Sequence, residues 1–237
     1  MPYILSPKIK LGAPGMWGEG DAYKKENIYS IAAGKMPPVN YDLHMLKPHS
    51  LTHAEGALHV NEGGKSVNDY FSNLKFMYGD CVCAKLKGNK YKLIDPDKGI
   101  YVWEISKEDL KESIDRVIGS KKMPAKVIVS SEFYPVNSDG FHDPNYVLIL
   151  SQEAADYLVG HEDFNMYGTS WKSSDFKPGS PERPIHKTLF TKAIIFELLD
   201  LKDVPEGEYF FVGFPLRLEG ASESPVTPVL FSKDELR

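Results

Sequence analysis

The chain has two cysteines in 237 residues, too few for a disulfide framework. It has no apolar run near the roughly 20 residues that a membrane-spanning helix needs. Nor does it have a short apolar stretch behind a basic N-terminus, the mark of a secretory leader. Its tail, "KDELR", runs one residue past KDEL and so is not a retention signal for the endoplasmic reticulum. These absences point to the cytoplasm. Lys and Arg number 28 against 33 Asp and Glu, a formal charge of −5. The basic residues form no block, which excludes the electrostatic footprint of a nucleic-acid binder or of an anionic-membrane binder. No repeat, low-complexity tract or Pro/Gly/Ser-rich linker divides the chain, so a single domain over 1–237 is expected.

What is present suits an ordinary globular core: 42% of the residues are hydrophobic and 12% are aromatic. Residues 1–40 carry turn punctuation at Pro7, Gly12, Pro14, Gly15, Gly18, Gly20, Gly34, Pro37 and Pro38, which predicts a loop-rich segment suited to covering a site. "CVCAKLKG" and "KYKLI" frame Gly88 and Asn89 as a hairpin, and "KVIVSSEF", "KAIIFELL" and "YFFVGFPLRL" read as further strands. Cys81 and Cys83, one residue apart in such a run, share a face and read as buried free thiols. Ser106 with Asp109 starts one helix, carried by Leu110, Ile114 and Val117; Ser151 caps a second, carried by Ala154, Ala155, Leu158 and Val159 and ending at Gly160. Strands outnumber helices and are interspersed with them, so the class is α/β with mixed sheets.

The densest chemistry lies in "PHSLTHAEGALHV", residues 48–60, where His49, His53, Glu55 and His59 stand at spacings of 4, 2 and 4. Pro48 and Gly56 oppose a regular helix. In an extended segment the side-chain period of two would turn all four to one cavity. Imidazoles with a carboxylate suit Zn²⁺ or Mn²⁺, and three protein ligands with an open position is the pattern of a catalytic metal site. Spacing alone leaves an incidental histidine-rich stretch standing beside that reading. His186, in "ERPIHKTLF", and Glu197, amid Ile194, Ile195, Phe196, Leu198 and Leu199, can complete the set. A buried carboxylate in such a run needs a cation, because leaving it unpaired costs several kcal/mol. The plainer alternatives are a solvent-facing Glu197 and a hydrogen-bonded core His186.

These residues resemble the cyclase-like metal-dependent hydrolases, the family of bacterial kynurenine formamidase and isatin hydrolase. "HSLTHAEGALH" is similar to the family motif HxGTHxDxPxH at His49, Thr52, His53 and His59, with Glu55 at the Asp. "LSQEAADYLV", "YGTSWKSSD", "PIHKTLF", "IIFELLDL" and "FPLRLEGASESPVTPV" follow in the family's order, and "APGMWGEGDAY" resembles an N-terminal loop that places a Trp, here Trp17, against the substrate. The chain departs from the pattern at Leu51 (Gly), Glu55 (Asp), Ala57 (Pro), Ser170 (Asp), Ser222–Glu223 (Asp-Gly) and Thr227 (Arg).

The resemblance implies a mixed α/β fold with a barrel-like β layer and flanking helices. It implies one or two divalent ions, Zn²⁺ or Mn²⁺, the first at His49, His53, Glu55 and Glu197 and the second at Glu55, His186 and Glu197. His59 falls at the general acid/base and Trp17 at the substrate. The implied activity is hydrolysis of a carbon–nitrogen bond in an amide, aryl formamide or small cyclic amide, with a metal-activated hydroxide as nucleophile. The implied assembly is a homodimer or homotetramer. A non-catalytic small-molecule-binding relative and a metal-dependent lyase or cyclase are the competing classes.

Overall fold

The computed structural model describes residues 1–236 apart from 19, 34, 35, 139, 178 and 179. Gly34 and Arg237, which entered the sequence reading above, lie outside the described residues. The strands are β1 (Tyr3–Ile4), β2 (Tyr23–Tyr29), β3 (Tyr41–Leu46), β4 (His53–Glu55), β5 (Tyr78–Leu86), β6 (Lys92–Asp95), β7 (Ile100–Ile105), β8 (Lys126–Ser131), β9 (Tyr146–Leu150), β10 (Met166–Thr169), β11 (Ile194–Glu197), β12 (Gly207–Val212), β13 (Glu223–Pro225) and β14 (Val229–Ser232). The helices are α1 (Lys107–Ile118), α2 (Gln152–Gly160) and α3 (Pro184–Leu189).

Nine strands form one mixed sheet in the order β1-β14-β12-β5-β8-β10-β11-β4-β13, curled into a half-barrel. Its centre, β5-β8-β10-β11, is parallel. Parallel strands covered on both faces need apolar residues at every position, and that is why these segments read as unbroken runs. Val82, Ala84, Val127, Val129, Tyr167 and Ile195 face the cluster under the helices. Cys81, Cys83, Ile128, Met166, Ile194 and Phe196 face a second cluster on the other side. Both cysteines are buried free thiols on one face, as their spacing requires.

The two capped helices form where expected: Ser106 Oγ accepts from Asp109 N at 3.1 Å and Ser151 Oγ from Ala154 N at 3.2 Å. Three sequence expectations need correction. β5 and β6 are not a hairpin: β5 pairs with β12 and β8, while β6 pairs with β7 in a separate three-stranded sheet with β9. The buried stretch Cys81–Ala84 of β5 is satisfied by neighbours on both sides, whereas three of the four residues of β6 are exposed. Residues 1–40 are not all irregular, since β1 joins the main sheet and β2 forms an antiparallel ribbon with β3. β12 ends at Val212, before "FPLRL". No helix among the described residues is long and apolar enough to cross a membrane.

Candidate metal centre

β4 lies between β11 and β13, and its register opposes His53 to Glu197 and Glu55 to Glu223. Cross-strand partners share a face, so one sheet edge presents these four side chains together. His53, Glu55 and Glu197 are fully buried. His49 and His59 reach the same place from short 3₁₀ turns, Pro48–Ser50 and Ala57–His59, on either side of β4. Convergence of the four motif residues is therefore real, but only His53 and Glu55 owe it to strand alternation; the all-extended segment expected from parity is replaced by turn–strand–turn. Gly56 is required for that path, because a Cβ there would come within 2.5 Å of the Lys65 carbonyl. Leu51, in place of the family's Gly, has φ −126° and ψ 172°, extended backbone open to any residue.

His186 comes from α3, a helix whose signal in sequence is Pro184 at its first turn. Asp175 caps α3, accepting from Ile185 N at 2.9 Å and His186 N at 3.3 Å, and holds the His186 ring through Nδ1 at 2.5 Å. The donor set converges tightly. Glu55 Oε1 is 3.0 Å from His49 Nδ1, 3.0 Å from His53 Nε2 and 3.6 Å from His59 Nε2. Glu55 Oε2 is 3.1 Å from His186 Nε2, which is 3.4 Å from Glu197 Oε1. The extra methylene of Glu55 thus lets one carboxylate reach both histidine groups.

These atoms suit a cation. His53 Nδ1 donates to the Leu51 carbonyl at 2.7 Å and His186 Nδ1 to Asp175, which leaves both Nε2 lone pairs aimed at carboxylates. Acceptors facing acceptors need a positive charge between them. Glu197 Oε1 accepts from Ser174 at 2.7 Å, but its buried Oε2 has no hydrogen-bond partner. His49 Nδ1, His53 Nε2 and Glu55 Oε1 lie 3.0–3.1 Å apart, close to the edge that bonds of about 2.1 Å at right angles would span. Without metal, protons carry the charge. Burial opposes ionisation of both His186 and Glu55, but their pairing outweighs it: the His186 pKa is held well above the usual imidazole value and Glu55 well below the usual carboxylate value.

His49, Glu55 and His59 form one candidate ligand group, and His53, Glu55 and Glu197 another. Trp17 donates its indole N–H to the His49 carbonyl at 3.0 Å and stacks on the His49 ring with centroids 5.1 Å apart, while the Lys172 ammonium lies over the indole at 4.4 Å. The indole therefore buttresses His49 as well as bordering the site. Met16 N donates to Ser50 Oγ at 2.8 Å, which ties the N-terminal segment to the first turn.

Sequence reasoning missed Asp175, Ser174, Arg183 and Glu223. Asp175 and Ser174 stand in "YGTSWKSSD", a stretch already marked as motif-like. Glu223 Oε2 is 3.8 Å from His59 Nδ1, and that imidazole, with Ser222, holds the Glu223 pKa below the carboxylate norm. Arg183 had no periodic or motif signal.

No family model matches the chain. It is 24% identical over 235 residues to the kynurenine formamidase of Paracidovorax citrulli, covering 97% of this chain and 96% of that one. It is 25% identical over 230 residues to the kynurenine formamidase of Delftia acidovorans, covering 95% of each. Among solved structures, a predicted metal-dependent hydrolase from Bacillus stearothermophilus aligns with a TM-score of 0.65 at 26% identity over 97% of both chains. Isatin hydrolase A from Labrenzia aggregata aligns with a TM-score of 0.72 at 15% identity, covering 98% of this chain and 94% of that one. Fold and donor set together resemble those of the cyclase-like metal-dependent hydrolases. Within that class the chain is similar along nearly its whole length to kynurenine formamidases, at about a quarter identity.

Proposed function

We propose that the protein hydrolyses the carbon–nitrogen bond of an amide in a metal-dependent reaction, with aryl formamides and small cyclic amides as its substrate class. The observation that carries this reading is the partnerless, buried Glu197 Oε2 among His53, Glu55 and His186, a donor set that lacks only a cation. His49, His53, Glu55 and Glu197 would hold one divalent ion, Zn²⁺ or Mn²⁺, and Glu55, His186 and Glu197 form the second group. A cation held there would bring the pKa of water towards 7 and would polarise the substrate carbonyl.

His59 accepts the proton that water loses and returns it to the leaving nitrogen, so that amide and water become acid and amine. Glu223, across the ring at Nδ1, favours the tautomer whose Nε2 faces the reacting groups. Asp175 does the same for His186. Trp17, stacked on the ligand His49, would border an aromatic substrate. A cavity of about 230 Å³ borders Ser50 and Leu51 and is lined by both polar and apolar side chains, among them Lys8, Lys10, Asn137 and Phe141; its size suits a small ring, but none of the six site residues lines it.

The whole chain, 1–237, acts as one hydrolase domain in the cytoplasm, as a homodimer or homotetramer. The β2–β3 ribbon supports such assembly: Tyr41, Leu43 and Met45 alternate along β3 and are all exposed, an apolar row on a two-stranded sheet. The test is turnover of N-formylkynurenine, isatin and related cyclic amides before and after chelation. Activity lost to chelator and restored by Zn²⁺ or Mn²⁺ is expected; a metal-replete protein inert to every amide would favour the binding-protein or lyase classes.

A further inference from the structure

Arg183 immediately precedes α3 and is the one described non-glycine residue besides Leu198 with a positive φ, at 40°. A left-handed backbone at a long side chain is strained, and such strain persists where surrounding structure holds the residue for a purpose. Here the side chain is 13% exposed and turned into the centre. Its Nε donates to Asp175 Oδ2 at 3.2 Å. One terminal nitrogen lies 3.0 Å from His186 Nε2, 3.3 Å from His186 Nδ1 and 3.4 Å from His59 Nε2. The guanidinium therefore packs against the ring that supplies the only nitrogen of the second ligand group, between it and His59.

We infer that Arg183 supplies the second positive charge of this centre, so that the chain binds one divalent ion, at His49, His53, Glu55 and Glu197, and not two. The inference rests on reading these residues as a metal centre. Charge balance supports it. Glu55, Glu197 and Asp175 bring three negative charges, all at 3% exposure or less. One divalent ion and one guanidinium neutralise them when the ion takes the place of the site's protons, which leaves His186 neutral, donating from Nδ1 to Asp175 and accepting at Nε2 from Arg183. A second ion would leave two positive charges in excess in a buried place, and uncompensated buried charge is costly. Glu223, 27% exposed at the rim, adds a screened fourth carboxylate beside His59 that offsets only part of such an excess. Arginine suits the task because it stays charged and presents a fixed fork of donors. Beside His59 the same guanidinium can also stabilise negative charge developing on a substrate oxygen.

The test is metal stoichiometry. Chelator-stripped protein is titrated calorimetrically with Zn²⁺ and with Mn²⁺, and bound metal after desalting is measured by mass spectrometry. The wild type is expected to bind one ion per chain. Arg183→Asn, which removes the charge and tolerates a left-handed backbone, is expected to bind two, and Arg183→Lys one. Two ions per wild-type chain, or one in Arg183→Asn, would overturn the inference while leaving the metal-dependent reading intact. No bound ion in the wild type would overturn both. Should Arg183→Asn fail to fold by circular dichroism, the wild-type stoichiometry alone decides.

Discussion

Replacing Asp175 by Asn tests whether the His186 ring is held to support the metal ligand Glu55. The carboxylate makes four contacts: with Ile185 N (2.9 Å), His186 N (3.3 Å), His186 Nδ1 (2.5 Å) and Arg183 Nε (3.2 Å). Every partner is a donor, so both oxygens are needed and an amide NH₂ can replace neither without opposing a donor to a donor. If the NH₂ faces His186, it favours the tautomer with the proton on Nε2, the atom that faces Glu55 Oε2. If it faces Ile185, the cap of α3 is lost. The first outcome changes the hydrogen bonding of Glu55, a ligating carboxylate whose Oε2 lies 3.1 Å from His186 Nε2, and should weaken metal binding 10- to 100-fold, about 1.4–2.7 kcal/mol. The second should cost the fold about 0.5–2 kcal/mol, a fall in Tm of a few degrees for a chain of this size, at roughly 2–4 °C per kcal/mol. Calorimetric titration of stripped protein reads the first and a thermal melt of the same sample the second. Metal affinity within twofold of wild type, together with an unchanged Tm, would refute the reasoning, because the amide cannot satisfy all four donors.

Other perturbations follow from the same geometry. His59→Ala should lower kcat by about 10²–10⁴-fold while metal content stays at the wild-type level; parallel loss of metal would make His59 a ligand, as its place beside His49 and Glu55 also permits. Glu55→Asp should weaken metal binding although it restores the family residue, since the shorter side chain cannot keep Oε1 at His49 and His53 and Oε2 at His186 together; tighter binding than wild type would contradict this. His142 is 2% exposed, with Ser170 Oγ at 2.7 Å on Nδ1, and burial lowers its pKa from 6.5 to about 4. A histidine depressed in the folded state binds its proton in the unfolded chain first, so its contribution to stability is full above pH 6.5 and falls as pH drops from 6.5 towards 4, by about 3 kcal/mol in all. Urea melts of stripped wild type and His142→Gln at pH 7 and pH 5 should show the variant losing less on acidification; equal losses would contradict the assignment.

The legible parts of this molecule are those whose signals are local. Ser106 and Ser151 mark helices because capping is settled within one turn. His49, His53, Glu55 and His59 crowd thirteen residues, and Glu197 stands out because no carboxylate sits amid five apolar residues without cause. The illegible parts are tertiary. Nothing near Gly88 says that β5 will pair with β8 and β12, since the choice depends on which neighbours can cover a strand buried on both faces. Asp175, Arg183 and Glu223 sit in polar stretches of sequence where charge is ordinary, and they become site residues only when α3 and β13 are laid beside β4. The β2–β3 ribbon escaped notice because "YKKENIY" and "YDLHML" are too polar to read as core strands. Parity led to the right convergence of the motif residues by a partly wrong path, for turns rather than an extended chain bring in His49 and His59.

The central claim is that His49, His53, Glu55 and Glu197 hold a divalent cation for amide hydrolysis. Anomalous diffraction from crystals of the metal-loaded protein addresses it most directly. The account predicts a peak within about 2.0–2.2 Å of His49 Nδ1, His53 Nε2 and a Glu55 oxygen, with Glu197 Oε2 turned to it. A map with no peak there, in protein shown to carry metal, would contradict it.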